Sequence, residues 1–146
     1  MSDRQSKIQE LVWRRNAKMH RKSIADSLKG HIDISEIEFL DNGESIKIGK
    51  LLREKVDSIR EEPTHSFLDC LPILNVERWP KERVIYFHRF TFEAGAIKIC
   101  TESLLPNAPF FQNILGPDFF FVDHSIRFGF YYEQNEYESS YRYWVE

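Results

Sequence analysis

The chain has 146 residues, of which 42% are hydrophobic and 29% charged, with a formal net charge of −3 and two cysteines. This is enough for one globular core spanning residues 1–146, which at such a length buries roughly 70% of the surface the unfolded chain exposes. The balance of charge excludes the global positive field of a general nucleic-acid binder. No run of about eighteen apolar residues is present to span a bilayer.

The start MSDRQSKIQEL lacks the apolar centre of a signal peptide, so a cytoplasmic, reducing location is expected. Cys70 and Cys100 fit it, since their separation matches neither a zinc motif nor a disulfide framework. Charge is unevenly placed. Residues 1–30 carry eight Lys or Arg against three Asp or Glu, whereas residues 116–146 carry two against six.

Aromatic content divides the chain as well, with two aromatics in residues 1–60 and nineteen in 61–146. Helices first and a sheet later is the natural reading. Ser2, with Gln5 three positions on, can cap a long first helix ending at Gly30. Two apolar stripes run along it, one of Ile8, Leu11, Val12 and Met19 and the other of Trp13, Ala17, Ile24 and Leu28. Residues 31–49 read as a hairpin around Asp41-Asn42-Gly43, because Ile37 and Phe39 alternate with Glu36 and Glu38, Ile46 and Ile48 alternate with Ser45 and Lys47, and Asn-Gly supplies a type I′ turn; a helix from Ser35 to Leu40 is the competing reading. Leu51, Leu52, Val56 and Ile59 recur at helical spacing, which predicts an amphipathic helix after Gly49.

The aromatic half predicts strands at Arg83 to Phe92 and Ala96 to Cys100, joined through Glu93-Ala94-Gly95. A short helix or loop at Phe110 to Leu115 is bracketed by prolines, and further strands follow at Asp118 to Val122, Arg127 to Tyr132 and Ser140 to Val145. The expected class is α+β, with N-terminal helices packed on one face of a mostly antiparallel, aromatic-rich C-terminal sheet. The strand Ser140 to Val145, left open, would permit a homodimer rather than a monomer.

Chemistry is harder to find. Asp123-His124 lies between two strands, where turn formation is the plain reading and acid–base work the sharper one. Arg89, Thr91 and Glu93 alternate along the predicted strand, where a solvated sheet face with cross-strand ion pairing is the plain reading; with His124 they compose the alternative, a ligand pocket or enzyme site. The histidines show no metal-ligand spacing, and no nucleophile elbow occurs, so neither metal nor cofactor is expected. Arg14, Arg15, Lys18, Arg21 and Lys22 offer phosphate contact on the first helix. Lys22 to Leu40 has a faint helix-turn-helix outline, but its second part holds Glu36 and Glu38 and no cation to meet DNA.

The C-terminus is acidic and aromatic together: Glu133, Glu136, Glu138 and Glu146 lie among Tyr131, Tyr132, Tyr137, Tyr141, Tyr143 and Trp144. Base stacking would need cations beside the rings, and only Arg127 and Arg142 follow residue 116. Tyr and Trp with an acidic rim suit a protein interface facing a basic partner, for instance a nuclease whose cleft is positive.

The run DFFFVDHSIRFGFYYE, followed by a polar loop and a closing YRYWV strand, resembles the C-terminal half of small bacterial immunity or antitoxin-type proteins. The resemblance covers residues 83–146 and rests on hydrophobic pattern, Asp123 and Gly129. It implies a single α+β domain that inhibits a partner by steric binding, with no reaction of its own. The expectation is therefore a protein-binding domain rather than an enzyme, with Asp123, Glu133, Glu136, Tyr137 and Glu138 on its contact surface.

Overall fold

A computed structural model describes residues 3–75, 79–135 and 137–146. The fold is α+β and is organised by one seven-stranded sheet in which every neighbouring pair is antiparallel. In chain order the elements are α1 (Asp3–Leu28), β1 (Glu38–Phe39), α2 (Asn42–Asp57), β2 (Glu62–Thr64), α3 (Leu71–Leu74), β3 (Arg83–Phe87), α4 (Thr91–Ala94), β4 (Ile97–Cys100), α5 (Thr101–Leu104), α6 (Ala108–Leu115), β5 (Phe119–Asp123), β6 (Phe128–Gln134) and β7 (Ser139–Val145). The strand order is β1-β4-β3-β5-β6-β7-β2, so the aromatic strands occupy the middle and short strands from the N-terminal half close both edges.

Alternation along the central strands divides their side chains between two cores. Val84, Tyr86, Phe119, Phe121, Phe128 and Phe130 pack with Ile24 and Leu28 of α1 and with Leu104, Phe111 and Leu115 on one face. Ile85, Phe87, Val122 and Trp144 pack against Ile48, Leu52 and Val56 of α2 on the other. Helices thus lie on both faces rather than on one, which is why RVIYF and FFFVD are nearly continuous apolar runs.

Local chemistry explains where the elements differ from expectation. Asp41-Asn42-Gly43 opens α2 instead of turning a hairpin: the Asp41 carboxylate accepts the Glu44 N–H at 2.7 Å, and Glu44 stands at the third helical position. Ile46 and Ile48 are therefore helical, and only Ile48 is buried. The predicted strand Arg83 to Phe92 stops at Phe87, because the Thr91 hydroxyl accepts the His88 N–H at 2.8 Å and starts the single turn of α4. The expected row of Arg89, Thr91 and Glu93 on a strand face consequently does not exist.

In α1 the second stripe is the buried one, with Ala17 at 1%, Ile24 at 4% and Leu28 at 0% exposure. Trp13 anchors its middle by donating from Nε1 to the Phe92 carbonyl at 2.7 Å. Arg21 donates to the Ala94 and Leu40 carbonyls at 2.6 and 2.9 Å, which makes it a structural cation. The proposed Ser2 cap lies outside the described residues. Along β7, Ser139 to Tyr141 pairs with β2, so the strand read as an open edge is covered over its first half.

Candidate functional site

The candidate surface is the tip of the β6–β7 hairpin. Seven pairs hold this ladder, from Phe128↔Val145 to Gln134↔Ser139, and the Asn135 N–H donates to the Glu138 carbonyl at 2.9 Å to close the tip. Tyr132 fixes the tip from below, with its ring buried at 2% exposure and its hydroxyl 3.2 Å from Ser139 Oγ. The Gln134 N–H donates to Asp118 Oδ1 at 2.9 Å, tying the outgoing strand to the start of β5. A rigid stem therefore presents Tyr137, whose side chain is 89% exposed.

Beside Tyr137 lies an open cleft of about 620 Å³ between the tip and β2, lined by Pro63, Thr64, His65, Gln134, Tyr137 and Glu138 among others. Glu138 is exposed, and Glu133 is half-buried one turn of the ladder below. Asp118 and Glu133 are both close enough to Tyr131 to raise its hydroxyl pKa, an effect led by burial and opposed by Arg142 and Arg53. The tip is thus a stiff, acidic projection with one large unburied aromatic. Glu136 lies outside the described residues.

Asp123 does not belong to this surface. It sits at the opposite end of β5, about 20 Å from the tip at the rise of a β-strand, and is 1% exposed. Its carboxylate accepts the N–H groups of Arg127 and Phe128 and meets Arg127 Nε at 3.0 Å, so it builds the β5–β6 turn and has no capacity left for a partner. His124 next to it is exposed and lies past the Val84 end of β3, whereas Arg89 and Thr91 follow its Phe87 end, which leaves the alternative catalytic grouping of Arg89, Thr91, Glu93 and His124 unassembled. Among the described residues no three His, Cys, Asp or Glu side chains are grouped to hold a metal ion. Cys70 and Cys100 are both unpaired, and burial pushes the Cys70 thiol pKa up, which disfavours its reactive thiolate.

A second exposed surface escaped the sequence reading. The first of the two apolar stripes of α1 faces outward: Ile8, Leu11, Val12 and Met19 are 51%, 64%, 52% and 73% exposed. Arg4, Ile8, Leu11, Arg15, Met19 and Lys22 follow one another at spacings of three or four and so share one helix face. Apolar side chains among the cations match a protein surface better than a phosphate backbone. No described helix is long and apolar enough to cross a membrane.

Comparison with protein-family models, with curated proteins and with solved structures finds no match.

Proposed function

We propose that this chain is a small protein-binding domain that acts by occupying a basic surface of its partner, in the manner of immunity or antitoxin proteins of the bacterial cytoplasm. The observation that carries this reading is Tyr137, an aromatic side chain 89% exposed on a rigid hairpin between Glu133 and Glu138. An unburied aromatic on a stiff stem loses little entropy when a partner covers it and supplies a large contact area, the properties of an interface anchor. The carboxylates around it speed encounter with a positively charged cleft and disfavour acidic competitors.

The reading needs no reaction. His88 is locked in the fold by the Gly95 carbonyl and the Phe90 N–H, and His124 is solvent-facing.

The test is capture of a partner from the host lysate by the tagged protein, with and without nuclease treatment, comparing wild type with Glu133→Lys, Tyr137→Ala, Glu138→Lys combined. A stoichiometric protein that survives nuclease and is lost with the triple variant supports the proposal. A partner retained equally by both proteins, or one that vanishes with nuclease, rejects the hairpin tip as the contact surface.

A further inference from the structure

Where α2 crosses the second face of the sheet, the helix and the strands do not close completely. A pocket of about 340 Å³ opens between them, and a smaller one of about 260 Å³ continues it past Phe87, His88 and Phe120. Sizes of this order suit a small organic molecule. Gly49 lies on the helix side of the opening. A glycine in a helix interior is less favourable than alanine, and here a Cβ would stand 3.3 Å from the Phe87 ring. The helix backbone therefore approaches that ring closely and leaves no side chain in the space.

The sheet side is flat and aromatic. Phe120 and Tyr131, paired across β5 and β6, stack at 3.9 Å between centroids with 7° between planes, and both remain partly exposed. Phe92 and Ile46 stand at the lip, 65% and 50% exposed.

Charge around the opening is polarised. Lys50 and Arg53 lie on the α2 side, exposed, and neither forms an ion pair or hydrogen bond among the described residues. Arg89 lines the continuation. Among the described residues no carboxylate lines the larger pocket; Asp118 lines the smaller one, where it already accepts the Gln134 N–H. Unpaired cations over an apolar, aromatic cavity leave one chemical class well matched.

We propose that this groove binds an amphipathic organic anion, its flat or aliphatic body against Phe87, Phe120 and Tyr131 and its carboxylate or sulfonate at Lys50 and Arg53. The site is independent of partner capture at the hairpin tip.

The test is a fluorescence titration of the full chain at pH 7 with 8-anilinonaphthalene-1-sulfonate, an aromatic anion that brightens in apolar surroundings, followed by competition with dodecanoate. The expected result is one saturable site displaced by dodecanoate. Lys50→Glu with Arg53→Glu, both at exposed positions, weakens binding at least ten-fold, and Gly49→Ala, which favours the helix but adds a methyl against Phe87, weakens it too. Near-UV circular dichroism identical to wild type shows that the variants keep their packing. No saturable enhancement, or an affinity unchanged in the double variant, overturns the proposal. Loss of the signal in Ile8→Ser with Val12→Ser instead also overturns it, since the dye would then lie on α1.

Discussion

His88 Nε2 lies 2.8 Å from the carbonyl oxygen of Gly95, while Nδ1 accepts the Phe90 N–H at 3.0 Å. The second contact requires a bare Nδ1, so the ring is neutral and donates from Nε2. Burial pushes its pKa from 6.5 down to about 4, partly opposed by the bond to Gly95. The unfolded chain binds this proton below about pH 6.5 and the folded chain only below about 4, so stability falls as pH drops through that window and is fully present above it. The loss is on the order of 1–3 kcal/mol. Urea unfolding of wild type at pH 7 and pH 4.5, compared with His88→Gln, reads it: the substitution costs stability at pH 7 but flattens the dependence, and an equally steep fall in the variant would assign the effect to other groups.

Gly95 itself has φ +96°, and a Cβ there would stand 2.0 Å from the Leu40 carbonyl oxygen, which Arg21 also engages. Gly30 has the same φ with nothing within 4 Å of a built Cβ. Gly30→Ala should therefore cost about 1–2 kcal/mol for the left-handed backbone alone, whereas Gly95→Ala must also push backbone apart and should lower the melting temperature far more. Equal losses would mean that the β1–β4 junction yields easily.

The sheet was legible because aromatic and β-branched runs at 83–87, 119–122 and 128–132 allow little else. The two-sided burial is written in the unbroken apolar runs RVIYF and FFFVD, against the single packed face expected of an α+β sheet. Asn42-Gly43 carries a strong hairpin signal, and it was overridden by the Asp41–Glu44 cap, a pairing three residues apart that the alternation of Ile46 and Ile48 concealed. The α1 stripes were indistinguishable by pattern, since both are apolar. The choice was made by distant groups, the Phe92 and Ala94 carbonyls that Trp13 and Arg21 reach across the fold. The groove beside Phe120 left no motif either, because its parts come from five separate elements, α2, β3, α4, β5 and β6.

Asp123 is the clearest case of a residue whose surface role was expected and whose burial is structural. Asp123→Ala should cost on the order of 3 kcal/mol, since it removes a buried carboxylate that satisfies two backbone N–H groups and the Arg127 side chain. Thermal unfolding measures the loss. Partner binding per folded molecule should be unchanged, and a specific loss of binding with normal stability would return Asp123 to the contact surface.

The Tyr86 hydroxyl is buried and has no hydrogen-bond partner among the described residues, and burial pushes its pKa up. An unsatisfied polar group in a core costs about 1–3 kcal/mol. Tyr86→Phe keeps the ring contacts with Phe111 and Phe119 and removes that cost, so the variant should melt higher than wild type. A lower melting temperature would show that the hydroxyl has a partner in solution, such as water.

The two stripes of α1 make opposite predictions from similar chemistry. Leu28 is fully buried, and Leu28→Ala should cost about 2–5 kcal/mol through lost burial and the cavity left behind. Ile8 and Val12 are more than half exposed, so Ile8→Ser with Val12→Ser should leave the unfolding free energy within about 0.5 kcal/mol of wild type in dilute solution. Urea unfolding at several protein concentrations separates the cases. If the Ile8 and Val12 variant is destabilised only at high concentration, the outward stripe is covered by a second copy of the chain. Destabilisation at every concentration would place that stripe against the protein's own body, contrary to the exposure seen here.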